Sequence, residues 1–284
     1  MGGAERNERK RRQEQRSGGG KGGQARGPAQ RSSGAKAVAA ARGSGGADRT
    51  RLILGVVAVV VVAAAVIGGV LWTNSKKNAT QDSAIPVAQV ANDLPNTRDG
   101  ATVLVGKDTA GVTIDIYEDF LCPICGQFEQ TNSAALEQKL EAGTIKVRYH
   151  LVNLLNERSD PAGYSTDAAN AALLAADEGK FVQFHKSLYD TQPTEGGRGW
   201  DKQQLIDLGK AMGLTSQAFA DGITAGKYDS AVTAEYDKAR TTDALLQEAG
   251  DGQKAFGTPT VAVNGRPVST AQANWIDQVV ANAG

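Results

Sequence analysis

The chain has few of the residues from which metal centres and disulfide frameworks are built: two cysteines and two histidines, His150 and His185, in 284 residues. Both cysteines fall in one tetrapeptide, Cys122-Pro123-Ile124-Cys125. A disulfide across so short a loop removes little entropy from the unfolded chain, which argues against a structural bridge. A zinc site built on a C-x-x-C pair needs further ligands, and the two histidines have no finger-like spacing to supply them. Neither a metal nor a cofactor is therefore expected, and His185 reads as a helix-packing residue.

Net charge is also absent, but only as a sum. Residues 1–51 carry thirteen Lys and Arg against four Asp and Glu, a balance of +9, and the remainder carries eighteen against twenty-seven, −9. The same first 51 residues have almost no large apolar side chain, so they cannot bury enough surface to offset ordering and are expected to be disordered. Basic runs such as Arg9-Lys10-Arg11-Arg12 are read as fixing membrane orientation rather than as binding nucleic acid. From Leu52 to Trp72 charge itself is missing: every one of these twenty-one residues is apolar, Gly or Ala, enough helix for about 30 Å of hydrocarbon. This predicts one uncleaved transmembrane helix, a signal-anchor, with the tail cytoplasmic and the remainder extracytoplasmic. The expectation is a single-pass protein of the cell membrane, with residues 73–100, polar and containing Pro86 and Pro95, as a linker.

What the chain does have is a dithiol in a telling place. Val112, Ile114 and Ile116 alternate with Thr113, Asp115 and Tyr117, the period of a strand. Downstream, Phe128, Leu136 and Leu140 recur at helical spacing. Cys122 thus stands where a strand passes into a helix, and Pro123 suits the first helical position, where no N–H is needed. Unpaired backbone N–H groups and the positive end of the helix dipole favour thiolate there. In such motifs the thiol pKa falls from about 8.5 into the range of roughly 3.5 to 7.5. Cys125, one turn on, is placed to attack a mixed disulfide formed at Cys122.

The rest of residues 101–284 reads as α/β. Thr102–Val105 is a short strand, expected at an edge, and Thr144–Leu151 completes a strand-helix-strand unit with a parallel pair. From about 160 to 250 the pattern is helical, with Thr215 and Ser216 able to cap the helix containing Phe219 and a longer helix expected over Tyr228–Glu248. Asn264-Gly265 between two short apolar runs signals a tight hairpin, and a short amphipathic helix follows around Trp275. Pro259, in Thr258-Pro259-Thr260, either begins a strand or is cis.

Together, Tyr117-Glu118-Asp119-Phe120-Leu121-Cys122-Pro123-Ile124-Cys125, Gly257-Thr258-Pro259-Thr260 and Val263-Asn264-Gly265 resemble the DsbA-like thiol-disulfide oxidoreductases of the thioredoxin superfamily, in their tethered bacterial form. The resemblance covers about Ala101 to the C-terminus. It implies a thioredoxin-like fold with a helical insertion, Cys122 as nucleophile, Cys125 as resolving thiol, and Pro259 as a cis-proline facing them, with Thr258 offering backbone to substrate and Pro123 and Ile124 supporting the site. It also implies exported, cysteine-bearing proteins as substrates, a membrane redox partner for recycling, and a monomer. The expected activity is disulfide formation; reduction or isomerisation at the same site, and a non-catalytic scaffold, are the alternatives. Where well-known members have His, this chain has Ile124, which cannot stabilise the thiolate by hydrogen bonding. The acid that thioredoxins bury six residues before the first cysteine is replaced by Ile116, leaving Glu118 or Asp119 as possible proton shuttles to Cys125, although each reads first as an exposed strand-end carboxylate with no such role.

Overall fold

The structure is a computed structural model that describes residues 47–91, 94–249 and 252–283, with the side chains of 47–59, 249 and 283 outside the description. The tail expected to be disordered lies outside the described residues, apart from 47–51, which begin a helix. Contacts divide the chain into Met1–Val61 and Val62–Gly284, and the fold below is that of the second unit.

Helix α1 runs Ala47–Lys77 and contains the expected membrane span. That expectation is overturned: among the described residues no helix is long and apolar enough to cross a membrane. The anchor, the single-pass topology, the cell-membrane location, the membrane attachment and the tethered form of the family all rested on this helix and are withdrawn with it.

The segment after α1 is partly packed rather than a free tether. Ile85, Ala88 and Leu94 are buried, and the Thr80 hydroxyl donates to the carbonyl of Arg198 at 2.9 Å. Strand β1, Asn96–Asp99, then pairs antiparallel with β2, Thr102–Val105, and takes the edge position expected for β2. Side chains hold it there, since Arg98 pairs with Asp177 and lies over the Tyr228 ring.

Strand β3, Val112–Glu118, is central, and Val112, Ile114 and Ile116 are buried as their alternation predicts. Helix α2, Pro123–Ala142, crosses over to β4, Ile145–Leu151, which pairs with β3 in parallel. On its other side β3 pairs antiparallel with β7, Thr260–Val263, which turns back into β8, Arg266–Pro267. Asn264 and Gly265 carry φ of 51° and 73° at that turn, the left-handed pair that a two-residue hairpin needs. The six strands lie in the order β1-β2-β4-β3-β7-β8. The C-terminal helix α8, Trp275–Ala283, closes the domain, with the Trp275 indole donating to Asn132 Oδ1 on α2 at 2.8 Å.

Between β4 and β7 lies the expected helical insertion: α3 Tyr164–Asp177, α4 Phe181–Asp190, α5 Lys202–Ala211, α6 Gln217–Ala225 and α7 Asp229–Thr241. Helix α3 is buried without a break from Ala168 to Ala176, and its small side chains allow the other helices to approach closely. Ser216 caps α6 as expected, accepting from Phe219 N–H at 3.1 Å. The long helix expected to Glu248 ends instead at Thr241. Thr241 and Thr242 turn their hydroxyls back onto the carbonyls of Asp237 and Lys238, a competition that weakens helix propagation. Leu245 is drawn into a small core with Tyr117, Val152 and Phe256, and the chain continues as a hairpin of β5, Gln247–Ala249, and β6, Gln253–Ala255.

Candidate active site

Cys122 is the N-cap of α2, with extended backbone at φ −70° and ψ 116°, and Pro123 occupies the first turn. No side chain caps this helix end, so its N–H groups remain available to the sulfur. Cys122 and Cys125 are both free thiols, 5% and 0% exposed. The Cys122 thiol is held down to about 6, first by a hydrogen bond from Cys125 and then by the Thr258 side chain and the backbone N–H groups of Cys125 and Ile124, against the opposing effect of burial. Cys125 is pushed well above its ordinary value by burial, by the same bond to Cys122 and by the charge of Glu118. One turn of helix therefore separates a thiolate from a thiol.

The loop before β7 closes over this pair. The Thr258–Pro259 peptide is cis, and the Thr258 carbonyl lies 3.3 Å from Cys122 Sγ. The Thr258 hydroxyl is buried and has no other partner, which leaves its hydrogen free to turn to the thiolate. Ile124 stands out of the surface beside the sulfurs, 55% exposed.

The two carboxylates singled out as possible shuttles are not the exposed strand-end acids expected: both are buried, and their surroundings differ. Asp119 is a clamp: Oδ1 accepts from Leu121 N–H at 2.8 Å and from the Ser165 hydroxyl at 2.7 Å, and Oδ2 accepts from Leu155 N–H at 2.7 Å. Burial raises its pKa to about 6 despite these bonds. Glu118 is fully buried, its Oε2 lies 2.8 Å from His185 Nε2, and burial raises it to about 8. Beside it is Glu129, one turn beyond Cys125 on α2, also raised by burial and by the Glu118 charge. Ligand atoms of Glu118, Glu129 and His185 all lie within 4.8 Å of one another, the group among the described residues that could hold a metal ion.

Sequence reasoning missed three residues here. Gln192 follows α4 and donates its amide to the carbonyls of Phe120 at 3.0 Å and Cys122 at 2.9 Å, pinning the start of α2. Its only local trace is Gly126, where a Cβ would collide with the Gln192 amide. Glu129 was not singled out, and His185 was assigned to packing. His185 does lie among the rings of Phe120, Tyr149, Phe181 and Tyr189, but it also meets Glu118.

A helix-terminal dithiol facing a cis-proline on a mixed sheet defines a thioredoxin-type redox domain. The family model described as Thioredoxin matches residues 98–278, and the chain belongs to that family. Among curated relatives, the serine/threonine-protein kinase PknE of Mycobacterium tuberculosis is 29% identical over 185 residues, 63% of this chain and 31% of the kinase. The chain thus spans about a third of that relative's length. Among solved structures, the reduced disulfide bond oxidoreductase DsbG of M. tuberculosis is 27% identical at a TM-score of 0.52, covering 63% of this chain and 86% of DsbG. Reduced DsbA of the same organism is 27% identical at a TM-score of 0.50, covering 65% of this chain and 100% of DsbA. The domain is of the DsbA-like thiol-disulfide oxidoreductase class.

Proposed function

We propose that the chain exchanges disulfides with cysteine-bearing proteins, exported ones by the family likeness, and runs chiefly as an oxidase. A substrate thiolate attacks Cys122 Sγ of the Cys122–Cys125 disulfide. The S–S bond breaks, and Cys125 leaves with the electron pair and takes up a proton, which its burial favours. A second substrate thiolate attacks the substrate sulfur of the mixed disulfide and expels Cys122. The substrate dithiol is oxidised by two electrons and the Cys122–Cys125 pair is reduced. The observation that carries this reading is the asymmetry of the pair, a Cys122 thiol near 6 in front of a Cys125 thiol well above 9. A stabilised thiolate is a good leaving group, and it favours the reduced form of the enzyme.

The same site run as a reductase or isomerase is favoured by Ile124, whose side chain offers the thiolate no donor. Equilibration of the protein with glutathione separates the two. A Cys122 pKa near 6 lies between the DsbA value of about 3.5 and the thioredoxin value of about 7, so the potential is expected between about −120 and −270 mV. A value at or below about −270 mV makes reduction the function. A pair that never forms the disulfide leaves only the scaffold.

A further inference from the structure

Beside the dithiol, a cleft of about 240 Å³ opens between α2 and α4, lined by Glu129, Glu137, Tyr149, His185, Tyr189 and Asp190 among others. Its floor is chemically unfinished. Glu118 and Glu129 are two buried carboxylates side by side, and Glu118 Oε1 and Glu129 Oε1 make no hydrogen bond. The Tyr189 hydroxyl, on the cleft wall and outside the acid pair, is likewise buried without a partner. Among the described residues no Lys or Arg pairs with either glutamate. Lys186 on the rim is engaged with Asp190 at 2.9 Å.

Burying one uncompensated carboxylate is costly, and two together cost more, unless a cation or a shared proton offsets the charge. The donor chemistry favours a cation: two carboxylate oxygens and one imidazole nitrogen, converging from β3, α2 and α4. We propose that Glu118, Glu129 and His185 bind one divalent transition-metal ion of the zinc class, with the cleft supplying room for a water ligand. Zinc sits about 2.0–2.2 Å from nitrogen and oxygen donors in a tetrahedron, so ligands of one ion lie about 3.4 Å from each other. Glu118 Oε2 and His185 Nε2 stand 2.8 Å apart and all three donor atoms lie within 4.8 Å of one another, so side-chain rotations of about 1 Å would bring them onto one ion. An ion would satisfy the orphaned carboxylate oxygens. Two carboxylates and one dication sum to zero charge, the condition under which a dry site is stable.

The test uses the oxidised full chain, because its only two cysteines are then joined and cannot bind metal as thiolates. After chelator treatment, calorimetric titration with Zn²⁺ is expected to give one equivalent. Glu129→Gln, which keeps shape and removes charge, and His185→Gln are each expected to weaken binding at least about tenfold. Should either variant fail to fold, the wild-type chain still decides: Co²⁺ is expected to shift the ring resonances of His185, and not those of His150, and Zn²⁺ to reverse the shift. No stoichiometric binding, binding unaffected by both substitutions, or Co²⁺ shifts at His150 alone would each overturn the site and leave the acid pair sharing a proton. None of these outcomes bears on disulfide exchange, which the glutathione equilibration tests separately.

Discussion

The two ends of the first turn of α2 carry the same side chain and behave oppositely. Cys122, at the cap, meets unpaired N–H groups, the Cys125 thiol and the Thr258 side chain, and its pKa falls to about 6. Cys125, three residues on, is fully buried and faces the charge of Glu118, and its pKa rises well above 9. The difference teaches that a C-x-x-C motif is not a pair of equivalent thiols. Position along the helix decides which one is the nucleophile, because the unpaired donors lie only at the terminus.

The largest effect should come from breaking the pair unequally. Cys122→Ser is expected to lower exchange with a dithiol peptide at least about a thousandfold, whereas Cys125→Ser should still attack a disulfide-bonded peptide through Cys122, expelling one peptide thiolate, and accumulate a mixed disulfide visible by mass spectrometry. Unchanged turnover in Cys122→Ser would instead make the domain a scaffold.

Next comes the pH profile. Alkylation of the reduced protein should titrate at Cys122 with a midpoint near 6. At pH 7 Cys125 should react at least about a hundredfold more slowly, since its thiolate fraction is so small. The same asymmetry appears in stability. The folded value of Cys122 lies below its ordinary 9.0, so the reduced fold gains relative to the unfolded chain as pH rises from about 6 to about 9. That gain is lost as pH falls through 6. Above about 9 Cys125 acts in the other direction, since the unfolded chain then releases a proton that the folded one keeps. Chemical denaturation of the reduced and oxidised forms across this range would show the rise and the reversal, and parallel curves would refute the argument from the helix terminus.

Thr258→Val sharpens the comparison by removing one donor and leaving the backbone in place. The Cys122 midpoint should rise by about one unit, the worth of one hydrogen bond to a charged group, with Cys125 unaffected. Smallest is Gln192→Ala, which frees the Phe120 and Cys122 carbonyls from their shared donor. It should cost about 1 kcal/mol in thermal or chemical unfolding and move the Cys122 midpoint less than Thr258→Val does. A larger shift of the midpoint would place Gln192 among the groups that set the thiolate.

The dithiol, the strand and helix that carry it, and the hairpin at Asn264-Gly265 were legible because each rests on local rules: a period of two, a proline at a helix start, two residues that tolerate positive φ. The membrane helix was read from composition alone and did not survive. Strand β1 was missed because its four residues, Asn96-Thr97-Arg98-Asp99, are polar and owe their pairing to β2 and to Asp177. The β5–β6 hairpin was missed because Leu245 is claimed by a core that no local window contains.

By itself, then, the sequence determined where a reactive thiol would stand, since helix termini and proline act within a few residues. Tertiary structure alone decided what surrounds that thiol. Thr258 lies 136 residues away at Cys122 Sγ, Gln192 lies 70 away at its carbonyl, and His185 lies 67 away on Glu118. Desolvation and partner charge act through space, so Glu118 and Asp119, adjacent and equally acidic on paper, part ways only when folding gives Asp119 three donors and leaves an oxygen of Glu118 with none.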